Sequence, residues 1–411
     1  MARIRPFKGL RPLKEYASRV AAPPYDVLDS DEAREMAAGN PYSILHVTKP
    51  EIDLDPSIDL YDPRVYARGA ENFRKMIADG VLVQDPEPCF YFYRQIMGDH
   101  AQVGLVGCAS VEDYDRNVIR KHEFTRKDKE EDRLRHIDAL NAQVGPVFLT
   151  YPDVAELSAI QAEVGRGEPE YDFTAPDGVR HTLWLASGEA VVRKIEQLFA
   201  DVPALYVADG HHRSAAAAIL ARRRREADPG HTGNEEYNGF LAVIFPKSHM
   251  RILPYNRVVK DLNGHSPAAF MDLVSKNFEI VQSAPASPGR VHEFSMYMNG
   301  SWIGLRAKDG TYPHDDPVMS LDSSILQNNL LGPVLGIEDP RTDKRIGFVG
   351  GIRGTGELST LVDTGRYAVA FSLYPTTMDQ LLRVAESGNV MPPKSTWFEP
   401  KLRSGLVIHL L

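Results

Sequence analysis

The sequence predicts a mixed α+β protein, and three stretches carry that reading. Around residue 100 the pattern has period two and doubles back, as a β-hairpin does. Ala204-Leu-Tyr-Val-Ala-Asp-Gly-His-His-Arg213, followed by Ser214 and four alanines, passes from buried strand through a glycine turn into a helix. From about residue 256 a helix and several short strands form a second α+β unit. At 411 residues the chain exceeds one ordinary core. The expected division is 1-255, an extended N-terminal arm plus a catalytic, phosphate-binding α+β domain, and 256-411, a C-terminal α+β domain whose terminal loop can return to the active-site cleft.

The elements follow in order. Arg5-Pro-Phe-Lys-Gly-Leu-Arg-Pro12, Ala22-Pro-Pro-Tyr-Asp26 and Asn40-Pro-Tyr-Ser43 hold the chain extended or in turns at each X-Pro step, while Ile4, Phe7, Leu10 and the tyrosines anchor it as an ordered arm. A helix is expected from about Pro63 to Asp79, stopped by Gly80. The hairpin takes Phe90 to Ile96 and Val103 to Val111 around a Gly98-Asp99 turn. A charged stretch, Arg120 to His136, ends in a helix with Leu134, Ile137 and Leu140 on one face. Pro146 to Tyr151 reads as a buried strand, Ala190 to Phe199 as a helix, and Gly239 to Pro246 as another strand. Beyond them come a helix at Ala268 to Asn277 and strands at Phe294 to Met298, Trp302 to Ala307 and Tyr367 to Tyr374. Met378 to Glu386 is a helix, and Pro392 to Lys401 a loop. Gly347-Phe-Val-Gly-Gly351 lacks G-x-G-x-x-G spacing and reads as strand and hairpin turn.

Composition narrows the function. A net charge of -9 argues against coating nucleic acid, and Arg222 to Arg225 at a helix end are better explained as neutralising its negative pole. No segment reaches the roughly 18 apolar residues of a membrane span, and no signal core follows Met1. Two cysteines, Cys89 and Cys108, are too few for a disulfide framework. These features point to a cytoplasmic protein acting on small molecules; oligomeric state is not legible.

Three clusters carry candidate chemistry. At Asp209-Gly210 a helix begins, and its unpaired N–H groups and positive pole suit an anion, phosphate above all, with Gly210 and Arg213 as the binding groups. His211 and His212 project about 100° apart on a helix, so they do not chelate one metal from one face. A histidine there is biased towards neutral, which suits hydrogen bonding or proton transfer. The alternative makes these residues capping groups in the interior. In Lys121-His-Glu-Phe-Thr125, Glu123 is placed to act as general base or to hold Mg2+, with His122 and Thr125 as substrate contacts; the alternative is a solvated charge run. In the C-terminal loop, Lys394, Ser395 and Thr396, with Lys401 following, are candidates to grip a phosphate or substrate carboxylate, or else belong to a tail strapped down by Trp397 and Phe398.

Taken together, Arg5 to Pro12, Pro23-Pro-Tyr-Asp-Val27, Asn40 to Ser43, His122-Glu-Phe-Thr125, Ala208 to Arg213 and Met391-Pro-Pro-Lys-Ser-Thr396 with Lys401 resemble the bacterial and archaeal family called domain of unknown function 1015. Asp209-Gly-His-His-Arg213 is also similar to the turn of the ParB/sulfiredoxin superfamily, where this strand-turn-helix element binds nucleotide phosphates, and within it to the free-serine kinases. That second resemblance implies a ParB/sulfiredoxin-like core and a phosphotransferase acting on a small hydroxylated metabolite, with L-serine the favoured acceptor. ATP, ADP or pyrophosphate would be the donor. Asp209, His211, His212 and Arg213 would then lie at the donor phosphates, with Asp209 beside Mg2+ and Glu123 as base. Two alternatives stay open: a ParB-like nucleotide-responsive binding protein without catalysis, and a metal-dependent hydrolase.

Overall fold

The computed structural model describes every residue, Met1–Leu411. The chain forms two units: residues 1–250 with 400–411, and residues 251–399.

The first unit is built on a nine-stranded mixed sheet. Its strands are β1 (Ile4–Arg5), β2 (Phe90–Met97), β3 (His100–Ser110), β4 (Ile119–Arg120), β5 (Val147–Tyr151), β6 (Tyr171–Thr174), β7 (Arg180–Ala186), β8 (Leu205–Asp209) and β9 (Gly239–Pro246). The order is β4-β8-β5-β9-β3-β2-β7-β6, with β1 paired to β3. The β8–β4 and β9–β5 pairs are parallel and the other pairs antiparallel. The central β9 is buried along its whole length, which is why it reads as a continuous apolar run rather than an alternating one. The helices of this unit include α1 (Pro63–Ala78), α2 (Lys127–Leu140), α3 (Ala155–Val164), α4 (Glu189–Ala200) and α5 (His211–Ala227).

Helix α5 explains its own alanines. Ala215, Ala217, Ala218 and Ala221 pack into the core of the sheet beside Leu149, Val207 and Phe240. Ala216 and Leu220 meet Leu134 and Ile137 of α2. A helix buried on both sides needs small residues for close approach, so its apolar pattern lacks a single stripe. At its far end Arg222 pairs with Asp115 and Arg224 with Asp138.

The segment 400–411 closes the first unit. Ile408 exchanges backbone hydrogen bonds with Leu10, Ser404 with Ala22, and Gly405 donates to Val144. Gln95 Nε2 donates to the Lys401 carbonyl at 2.8 Å. Arg403 Nε donates to His181 Nε2 at 3.3 Å, while His181 Nδ1 lies 2.7 Å from the Tyr93 hydroxyl. Since Nε2 accepts, the ring proton sits on Nδ1 and the imidazole is neutral. Burial first, and then Arg403, hold His181 down at about 3.

The second unit carries a six-stranded antiparallel sheet of β10 (Tyr255–Val259), β11 (Phe278–Gln282), β12 (Glu293–Met298), β13 (Ser301–Ala307), β14 (Ile346–Gly350) and β15 (Val369–Leu373), ordered β11-β13-β12-β15-β10-β14. Its helices include α6 (Pro267–Asn277), α7 (Gly354–Asp363) and α8 (Met378–Glu386). One expectation is corrected here. After β14 the chain does not turn back as a hairpin; Gly351–Arg353 forms a 3-10 turn leading into α7. The elements of the first unit not read from the sequence include α3, β4 and the pair β6 and β7.

Candidate functional site

The site grows from the end of β8. A register shift between Val207 and Asp209 interrupts the β8–β5 pairing and re-aims Asp209 at the strand end. Gly210 follows at φ 94°, ψ 28°, a conformation costly for any residue with a Cβ, and is the N-cap of α5. A Cβ there would also lie 3.2 Å from the Arg213 guanidinium carbon. Asp209 Oδ1 accepts the Gly210 N–H at 2.7 Å and Oδ2 accepts Lys401 Nζ at 3.0 Å. Burial would raise this carboxyl, but Lys401 and then Arg213 outweigh it and hold Asp209 well below the usual carboxylate range.

The two histidines diverge as their helix positions require. His211 turns inward against the His122 ring, edge to face at 4.5 Å. Both rings are almost fully buried. Burial holds His122 down at about 4 and pushes His211 well below its ordinary value, so both are neutral near pH 7. His212 turns the other way, and its Nε2 accepts the Arg126 N–H at 3.1 Å, which places its proton on Nδ1. The segment 122–126 is thereby docked onto the start of α5 from both sides. It delivers Glu123, half exposed, with Oε2 3.7 Å from His211 Nδ1.

Arg213 is buried beneath the turn. Its Nη1 donates to the Pro146 carbonyl, while Nη2 stands 3.7 Å from Asp26 Oδ2 and 3.8 Å from Asp209 Oδ1. Asp26 comes from the arm, whose Tyr25 lies under the Arg133 guanidinium at 3.7 Å. Arg133 pairs with Asp132 at 2.7 Å, and Asp132 accepts the Tyr66 hydroxyl at 2.9 Å. Sequence reasoning missed Tyr25, Asp26 and Arg133. The signal was present in Pro23-Pro-Tyr-Asp26, because a stiff arm needs no acidic residue at its bend.

The remaining candidates fall as follows. Thr125 Oγ1 is hydrogen-bonded to Glu130 in the first turn of α2, a local helix-start contact. Lys401 belongs to the first unit, on Asp209. Lys394, Ser395 and Thr396 belong to the second unit. There Lys394 has φ 58° and its Nζ lies 5.5 Å from the Tyr255 ring centre. Ser395 Oγ is 2.9 Å from Ser323 Oγ and donates to the Pro392 carbonyl. No three His, Cys, Asp or Glu side chains are grouped to hold a metal ion. The expected Asp209 metal contact therefore has no ready-made protein cage behind it. The turn offers one carboxylate, and Mg2+ carried by phosphates needs only one or two.

Residues 4–324 match the family described as protein of unknown function, DUF1015. The chain belongs to that family. Lys394, Ser395, Thr396 and Lys401 lie beyond the matched residues. No curated protein matches the chain. Among solved structures, SbnI with C-terminal truncation from Staphylococcus aureus is 11% identical, with 74% of this chain and 87% of that one covered at TM-score 0.40. A free serine kinase mutant in complex with ADP is 12% identical, covering 75% and 94% at TM-score 0.34. A conserved hypothetical protein from Pyrococcus furiosus is 12% identical, covering 72% and 94% at TM-score 0.33. These resemblances are distant. No helix is long and apolar enough to cross a membrane, and both cysteines are buried and unpaired.

Proposed function

We propose that this chain is a cytoplasmic phosphotransferase that moves a phosphoryl group from ATP, ADP or pyrophosphate to the hydroxyl of a small metabolite, with L-serine the favoured acceptor. The observation that carries the reading is convergence: Glu123, the Asp209 to Arg213 turn and Lys401 come from three distant stretches of chain and meet at one helix N-terminus. On this reading the strand, turn and helix form a ParB/sulfiredoxin-like element.

The roles follow from charge and position. The free N–H groups of the first turn of α5, with Lys401, hold the donor phosphates and offset charge that grows during transfer. Glu123, partly in water, takes the proton from the acceptor hydroxyl. That oxygen forms a bond to the terminal phosphorus as the bond to the bridging oxygen breaks, releasing ADP, AMP or inorganic phosphate according to the donor. Neutral His211, beside Glu123, adds no positive charge that would oppose proton uptake by the carboxylate. Asp209 would be the protein group that holds Mg2+ arriving with the donor, and the ion would supply charge neutralisation.

A second reading has one specific support. Asp209 is already engaged by both Lys401 and the Gly210 N–H, as expected of a recognition turn that binds nucleotide without chemistry. A metal-dependent hydrolase has less support, because it needs a grouped ligand set. Incubating the protein with L-serine, Mg2+ and each donor separates the first two. Phosphoserine formation supports the transferase; tight nucleotide binding with no turnover, in folded protein, leaves the binding reading.

A further inference from the structure

Arg257 is a buried cation without an anion. On β10 it stands opposite Phe348 of β14 and Phe371 of β15, so its side chain rises from an apolar face of the second unit's sheet. It is 4% exposed. Its Nη1 donates to the Tyr255 carbonyl and its guanidinium carbon lies 5.1 Å from the Phe348 ring centre, but no carboxylate pairs with it. Burial pushes it down to about 10, with only the Tyr255 phenol acting the other way. Arginines are almost never buried this far unless they are paired. Nε and Nη2 meet no acceptor, and neither is sealed from solvent as Arg213 Nε is. That edge is open to a ligand. A second cation stands on the same face: Tyr255, two residues before Arg257 on β10, points the same way, and Lys394 Nζ lies 5.5 Å from its ring centre. Lys394 is exposed and also has no carboxylate partner. Trp397 packs edge-on to the same tyrosine at 5.1 Å, and Glu399, the acid beside it, accepts the indole N–H at 2.8 Å.

We propose that the second unit carries an anion site of its own, in which the Nε and Nη2 edge of Arg257 and the ammonium of Lys394 take a phosphate group. Nε and Nη2 form a side of the guanidinium that can hold two oxygens at once. A carboxylate shares that geometry, so charge decides between the two. A phosphate monoester carries about 1.5 to 2 negative charges near pH 7, which matches two cations that have no counter-ion better than the single charge of a carboxylate does. The exposed Lys394 meets the ligand at the surface, and Arg257 receives it below. None of these residues belongs to the phosphoryl-transfer assembly of Glu123, the Asp209 to Arg213 turn and Lys401, so the site stands or falls without it.

Fluorine NMR of the full chain labelled with 5-fluorotryptophan tests the site, because Trp397, one of three tryptophans, is the one that packs on Tyr255. Its resonance, assigned with Trp397→Phe, shifts saturably with inorganic phosphate at constant ionic strength while those of Trp184 and Trp302 stay in place. Acetate binds more weakly. Arg257→Gln lowers the phosphate affinity by at least about tenfold, and Lys394→Gln, at an exposed position, lowers it by about threefold. If Arg257→Gln does not fold, the phosphate and acetate titrations and Lys394→Gln decide. No saturable shift of Trp397, acetate binding as tightly as phosphate, or undiminished affinity in either folded variant overturns the proposal. A saturable shift that depends on Arg257, in protein that transfers no phosphoryl group, upholds the site and counts against the transferase reading alone.

Discussion

At the scale of single residues, Lys401 sets the state of Asp209. Replacing Lys401 by Met leaves a largely buried carboxylate with the Gly210 N–H and, as nearest cation, the more distant Arg213 against it. The Asp209 carboxyl then rises in pKa, because burial is no longer outweighed, and the variant loses about 1 to 3 kcal/mol of stability at neutral pH. Titration of the Asp209 carboxyl carbon by NMR in wild type and Lys401→Met reads this directly. Glu123 sits at the rim, half exposed, so its removal affects chemistry more than folding. Glu123→Gln lowers turnover by about 10² to 10⁴ and leaves donor affinity in place, which separate measurements of kcat and nucleotide Kd check. Glu123 and the turn were legible because their residue types carry chemistry whatever their surroundings. The pairing of Lys401 with Asp209 was not, since it joins positions 192 apart and depends on how the chain end threads back.

At the scale of elements, the turn works because β8 ends in a register shift and α5 starts on a left-handed glycine. Gly210→Ala meets both a strained φ and the underlying Arg213 guanidinium, and destabilises by about 1 to 3 kcal/mol. Denaturant unfolding measures the loss, and nucleotide binding weakens with it. The strand, turn and helix were readable from Leu205 to Leu220 because apolar run, glycine and alanines agree. The helix α7 was hidden behind Gly354 and Gly356, which mimic a turn in sequence. The arm showed its prolines but not its partner, because the contact of Asp26 with Arg213 joins positions far apart in the chain.

At the scale of the whole molecule, buried neutral histidines link stability to pH. His122 and His136 titrate at about 4, and His181 at about 3, each depressed first by burial. Between these values and the ordinary value near 6.5 the unfolded chain binds protons that the folded chain does not. Stability is therefore complete above about pH 6.5 and falls as pH drops towards 4, by on the order of 3 kcal/mol for His122 and as much for His136. Thermal unfolding from pH 7.5 to 4.5 shows the decline, and His122→Gln lessens it. The closing segment matters at this scale too. Leu402, Leu406, Val407 and Ile408 are buried, so a chain ending at Glu399 loses both a core edge and the partner of Asp209.

The convergence of Glu123, the Asp209 to Arg213 turn and Lys401 is tested most directly by phosphorus NMR of the protein with Mg2+, L-serine and each phosphoryl donor in turn. A new phosphomonoester resonance that grows as one donor is consumed, and that is lost in Glu123→Gln and Asp209→Asn, is the predicted result. Folded wild-type protein that leaves every donor unchanged, or variants that make phosphoserine as fast as wild type, would contradict it.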